Sequence, residues 1–251
     1  FVEALEPRAF FAASAFPDVD FTLTADPITQ TGVTRASLLD RLEGVVRAQA
    51  KYLDANGVII DPLAKREVQY STPYFAAAAS TLIAAGRATD LLEPAIRAMD
   101  HATACYAGGK NAIPDQHGEF FLYPLAQAFK QLKPFVNASV RSRWIGRLST
   151  PINNVISGLE WNWRTYAMKG AWALYGIGAI SRGEAVNFIE SSWTDCQRER
   201  LLSDAWNLYH DGTSDPDTMA YDFASRGNLT SLITAVVAGG EGDPRAVRRE
   251  A

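Results

Sequence analysis

The chain has 251 residues, with 47% hydrophobic residues and 24 basic against 28 acidic side chains. This composition suits one folded domain, or two small ones, with a sizeable core, and the lack of a basic excess argues against a nucleic-acid binder driven by phosphate contacts. No apolar run approaches the ~20 residues that span a bilayer, the 18 glycines and 12 prolines exclude collagen-like or disordered readings, and two cysteines, Cys105 and Cys196, are too few for a disulfide framework or a Cys-rich zinc site.

The chain starts at Phe1 with a short segment that ends in small residues and contains Ala4-Leu5-Glu6-Pro7-Arg8 and Phe10-Phe11. That segment resembles the LEPR-XLL motif near the start of large exported bacterial proteins, although Phe10-Phe11 replaces the two aliphatic residues. The resemblance implies export to the cell envelope or beyond, and residues 1–33 are set apart as this segment plus a Pro- and Asp-containing linker.

From Thr34 the apolar positions recur at helical spacing. Leu38, Leu39, Leu42, Val45, Val46 and Leu53 mark a first helix that ends by Gly57. Thr72 is expected to cap a second, with Pro73 at its first position and Gly86 at its end. A third runs from about Thr89 to Tyr106, with Pro94 in its first turn or at a kink. A fourth covers about 119–132, with Pro124 inside the span as an alternative start of its regular part, and a fifth covers 135–148. A sixth spans 162–180, a seventh about 184–210, and an eighth about 219–238, after which Gly239-Gly240 opens a polar tail over 239–251. Val58-Ile59-Ile60 is the one β-like run. The expected fold is all-α, about four antiparallel helical hairpins in residues 34–238.

The connections alternate in length. Those near Gly86, Pro134 and Gly183 are short, whereas roughly 57–71, 107–118, 149–161 and 211–218 are long. In an up-down array the four long loops emerge at one end, and long loops on a rigid scaffold commonly carry function.

Chemistry-bearing residues gather there. The first loop leads to Tyr70; the second carries Lys110 and Asp115-Gln116-His117-Gly118-Glu119. The third leads into Trp161-Asn162-Trp163-Arg164 with Tyr166 behind; the fourth carries His210-Asp211, Asp217, Tyr221 and Arg226. A His–Glu neighbourhood performs proton transfer near neutral pH. Tryptophan faces suit sugar rings, and Asn and Arg bind hydroxyls or carboxylates. Structural roles compete: Glu119 complements a helix dipole, Asp217 caps the last helix, the tryptophans fill core, and His101 sits inside the third helix. Neither the EF-hand pattern nor HExxH or CxxC spacing occurs, so no metal site and no cofactor are expected. Dinucleotide, Walker A and GxSxG motifs are also missing.

Helical hairpins with one decorated end, together with Asn162-Trp163-Arg164-Thr165-Tyr166 and Asp115-Gln116-His117-Gly118-Glu119, resemble the (α/α)-toroid carbohydrate-active enzymes. These include polysaccharide lyases of the heparinase and chondroitin-lyase type and toroid glycosidases. Toroids of this kind usually have ten to fourteen helices, so the eight expected here imply an open barrel or a fragment. The lyase version of the resemblance implies that Asn162 and Arg164 neutralise a uronate carboxylate, His117 or His210 removes the C5 proton, and Tyr166 protonates the leaving oxygen. The hydrolase version needs two carboxyl groups, Glu119 and Asp211. Tyr70, Lys110, Trp161, Trp163, Asp217, Tyr221 and Arg226 would line the substrate path in either case. The expected partner is an oligo- or polysaccharide, cleaved by β-elimination in the leading reading, by hydrolysis in the second, or only bound by a non-catalytic domain in the third.

Overall fold

In the computed structural model the described residues are 33–156, 158–159, 161–202 and 219–238. The LEPR-like segment, most of the linker, the fourth long loop and the tail over 239–251 lie outside them. Among the described residues the chain forms nine α-helices: α1 (Arg35–Ala50), α2 (Ser71–Ala84), α3 (Leu92–Ala107), α4 (Glu119–Leu132), α5 (Ala138–Leu148), α6 (Ile152–Val155), α7 (Trp161–Gly176), α8 (Arg182–Leu202) and α9 (Met219–Ala238). The fold is all-α. The Val58-Ile59-Ile60 run makes one isolated antiparallel bridge, Leu53 to Ile59. No helix among the described residues is long and apolar enough to cross a membrane.

The helix ends follow local chemistry. Thr34 caps α1 in a reciprocal box with Ser37, each side chain accepting from the other's backbone N–H at 3.0 and 2.9 Å. Asn137 caps α5 by accepting from the Val140 N–H at 3.0 Å. Ser181 and Glu184 form a second box at the start of α8. α7 stops at Gly176, earlier than its apolar pattern suggests, because Gly178 takes φ +76° and lets the Ala179 N–H reach back to the Leu174 carbonyl at 3.0 Å.

Other expected boundaries differ as well. α1 ends at Ala50, so Leu53 lies beyond the helix, where it pairs with Ile59 instead of joining the helical stripe. Thr72 is not a cap: α2 begins one residue earlier, and the fully buried Thr72 hydroxyl accepts from the Ile59 N–H at 3.1 Å, pinning the first loop to the helix. α4 does not wait for Pro124 but starts at Glu119 and runs through it. Phe120, Phe121, Leu122, Leu125 and Phe129 are all buried, and burying that apolar face offsets the one intrahelical bond that Pro124 cannot make.

The helices stack in two rows. α2 packs on α4, α4 on α7, and α7 on α9, forming a front row of alternate helices. Behind it α1 packs on α2, α3 on α2, α4 and α5, and α8 on α7. Burial matches this division: α4 buries ten residues, whereas α1 buries Val46 and α5 buries Trp144 and Leu148. A front-row helix has neighbours on both sides and behind, so it needs a broad apolar surface; a back-row helix needs one stripe. Asp100 fastens α5 to α3, accepting from the Trp144 indole N–H at 2.6 Å and from the Arg143 guanidinium at 2.7 and 2.8 Å.

At the α4–α7 crossing Gly170 leaves no room for a side chain: a Cβ would overlap the Leu122 side chain. Gly170→Ala is therefore expected to destabilise the protein by about 1–3 kcal/mol. Gly146 on α5 is also helical but has nothing within 4 Å of a Cβ position, so Gly146→Ala should stabilise by about 0.5–1 kcal/mol. Urea denaturation midpoints of the two variants check this; equal shifts of the same sign would contradict the packing account.

Candidate functional site

The first three long loops meet at one end of the array. Asp115 in the second loop accepts from the Arg66 guanidinium at 2.9 Å and from the Gln69 N–H at 2.8 Å, both in the first loop. These donors hold the Asp115 carboxyl below its ordinary range, the Gln69 backbone bond most of all. Gly109 in the second loop lies against the Asn154 carbonyl in the third, and Gly118 against that of Val155. Lys65, Gln69, Asp115 and Gln116 all adopt positive φ, between 45° and 60°. Left-handed backbone at non-glycine residues costs free energy that the surrounding contacts must hold, and here it clusters in two loops that grip each other. Because α2, α4 and α7 each start from one of these loops, their amino-terminal ends lie together and the three helices run parallel.

His117 and Glu119 face each other at the start of α4, with Nδ1 2.9 Å from Oε1. Gly118 between them packs its backbone against Val155 and Ile156, leaving no room for a side chain. Glu119 is only 3% exposed. Burial raises its carboxyl above the ordinary value, opposed by the His117 hydrogen bond and more weakly by the charge of nearby Lys110.

From this dyad a continuous aromatic strip runs across the front row. The His117 ring meets Trp163 edge-on at 4.9 Å and Phe120 at 5.8 Å. Phe120 touches Tyr70 at 4.5 Å and Tyr166 at 4.6 Å, and Tyr70 touches Tyr74 at 5.2 Å. Lys169 then places its ammonium 4.4 Å from the centre of the Tyr123 ring and 5.1 Å from that of Tyr166, and donates to Asn228 Oδ1 on α9 at 2.8 Å. Desolvation lowers the Lys169 pKa. Partial shielding, with the phenols of Tyr166, Tyr70 and Tyr123 close by, pushes the Tyr74 hydroxyl above its usual range.

The structure thus brings together Tyr70, Lys110, His117, Glu119, Trp163 and Tyr166 among the residues expected from sequence. It does not bring Arg164 to them: that guanidinium points to the back row and bonds Asp195 of α8 at 3.0 Å, beside Phe188 and Ser192. Asn162 is 4% exposed, and its side-chain carbonyl finds no hydrogen-bond partner among the described residues. His210, Asp211 and Asp217 lie outside the described residues. Trp161 opens α7, while Tyr221 and Arg226 belong to α9. Tyr74, Phe120, Tyr123, Lys169 and Asn228 complete the strip and were not expected. The signal for Tyr74, Phe120 and Tyr123 was aromatic spacing of three or four positions along the front-row helices.

A separate group lies between the first loop and α3. His101 Nε2 is 2.8 Å from Glu67 Oε2 and 3.4 Å from Cys105 Sγ. Bonds with Cys105 and Glu67 push the His101 imidazole up to about 10. Comparison with protein-family models, curated proteins and solved structures finds no match to this chain.

The raised Glu119 pKa has a pH consequence. Below its ordinary value of 4.5 the carboxyl is neutral folded and unfolded. Above it the unfolded chain ionises first, so stability is lost as pH rises through the raised folded value. Relative to Glu119→Gln, the wild-type chain should lose stability from about pH 4.5 upward and then level off. Paired denaturation curves at stepped pH test this; a constant difference, or a slope of opposite sign, would contradict it.

Proposed function

We propose that the front face binds an acidic polysaccharide and that the protein cleaves it by β-elimination, on an arc of an (α/α) toroid. The observation that carries this reading is the aromatic strip with Lys169 set into it. Flat ring faces suit the apolar faces of sugars, and a desolvated ammonium is stabilised by an anionic group. Among the described residues no carboxylate pairs with Lys169, so a uronate carboxylate is the complementary ligand. The shared amino-terminal end of α2, α4 and α7 also favours negative charge.

In this reading Lys169 takes the neutralising role that the resemblance assigns to Arg164. His117 removes the C5 proton, with Glu119 fixing its ring and stabilising the imidazolium. Tyr166, between Phe120 and Lys169, returns a proton to the leaving oxygen. The two-row packing supports the toroid arc, since alternate helices form an inner layer in that architecture. Export to the cell envelope or beyond, proposed from Leu5-Glu6-Pro7-Arg8, accords with a polymeric substrate.

A hydrolase is the second reading, favoured by one observation: a buried carboxyl with a raised pKa is suited to general-acid work. Its second carboxylate would be Asp211.

Incubation with uronate polymers separates these readings. β-Elimination predicts rising ultraviolet absorbance from the unsaturated product, reduced about 10²–10⁴-fold in His117→Ala and lost in Lys169→Met. New reducing ends without that absorbance would favour hydrolysis. Binding without either signal would leave a carbohydrate-binding domain, and no binding would overturn the proposal.

A further inference from the structure

The Glu67, His101 and Cys105 side chains form a compact group outside the aromatic strip. His101 and Cys105 are four residues apart on α3, so their side chains rise from one helix face. Glu67 comes from the first long loop, 34 positions before His101. One ligand atom from each lies within 4.8 Å of the other two.

Two chemistries use such a set, and the geometry separates them. A nucleophilic Cys–His–Glu relay needs the thiol on one ring nitrogen and the carboxylate on the other, so that the carboxylate orients the base. Here both partners meet the same nitrogen, Nε2. The three donor atoms converge on one point instead of forming a chain. Tetrahedral coordination at ~2.0–2.3 Å from a zinc ion separates its donor atoms by roughly 3.3–3.6 Å. The Cys105–His101 distance of 3.4 Å already matches, and the His101–Glu67 distance of 2.8 Å needs only a small opening.

A second observation points the same way. Glu67 Oε1, the other oxygen of this carboxylate, is buried and has no hydrogen-bond partner among the described residues. A buried carboxylate oxygen without a donor is costly, and a cation held by the carboxylate compensates it. The Glu67 and His101 side chains are 11% and 25% exposed, so an ion has a path from solvent and a fourth position open to water.

We infer that Glu67, His101 and Cys105 bind a single divalent transition-metal ion, with zinc the best match. The mixed sulfur, nitrogen and oxygen donors suit zinc; magnesium and calcium prefer all-oxygen sets. The ion clips the first long loop to α3, three residues before Tyr70 enters the strip. The site is distinct from the proposed catalytic face, and its test does not depend on any activity.

The experiment uses the full chain carrying Cys196→Ser, which leaves Cys105 as the one thiol. Titration with Co²⁺ should give a 1:1 complex with a thiolate-to-cobalt charge-transfer band, displaced by stoichiometric Zn²⁺. Cys105→Ser should abolish the band, and Glu67→Gln and His101→Ala should each weaken binding by about 100-fold or more, since loss of even an outer-shell partner costs ~10–100-fold. In the wild-type chain, Zn²⁺ should protect Cys105 from alkylation, read by peptide mass spectrometry, so the site is also tested without substitution. Absence of the charge-transfer band, a band retained in Cys105→Ser, or Cys105 alkylation unchanged by Zn²⁺ would each overturn the inference.

Discussion

The contact between α4 and α7 sets the spacing on which the front face depends. Gly170 brings the two backbones together over Leu122, and the aromatic residues on either side are carried into register by that approach. Phe120 and Tyr166 touch across it at 4.6 Å, and Lys169 reaches the Tyr123 ring at 4.4 Å. A wider crossing would separate both pairs and open the strip. The bulky residues that give α4 its buried surface, Phe121, Leu122 and Leu125, are therefore also what hold Phe120 and Tyr123 against α7.

Electrostatics builds on this frame. The gripping loops place the amino-terminal ends of α2, α4 and α7 together, an arrangement that favours anions. In it Glu119 is the anomaly. Its carboxyl is buried at one of these ends, bonded to His117 and with its pKa raised. A carboxyl buried beside a base, with its pKa raised by desolvation, suits proton transfer. Lys169 is the converse case, a cation partly stripped of water and resting on ring faces, with an amide oxygen for company.

Much of the scaffold was legible in the sequence because helical periodicity, caps and loop lengths are local signals. All eight long helices are present in the expected order, although α1 and α7 end early and the seventh is described only to Leu202, and the first three long loops do share an end. The discrepancies have physical causes. Thr72 looked like a cap because its hydroxyl could close a helix, but Ile59 claims that hydroxyl from across the first loop. Pro124 looked like a start because a proline breaks an isolated helix, but tertiary burial carries α4 through it. At the site, the loop-borne His117 and Glu119 were visible as neighbours in the chain. Arg164 was misplaced because one helical step turns a side chain by ~100°, enough to send it to Asp195 while Trp163 and Tyr166 face forward. Lys169 and Asn228 were missed because they meet only through the packing of α7 on α9. The Glu67–His101–Cys105 group was missed likewise, since a loop residue 34 positions away supplies its third member.

The central claim is that the front-row strip is a binding face for an anionic sugar. A crystal structure of the protein soaked with a short oligouronate tests it most directly. The account predicts sugar rings lying along Tyr70, Trp163, Tyr166 and Tyr123, with a carboxylate within hydrogen-bond distance of Lys169 Nζ and the C5 position beside His117. A sugar seated elsewhere, such as beside Arg164 and Asp195, or a strip left empty at saturating ligand, would contradict it.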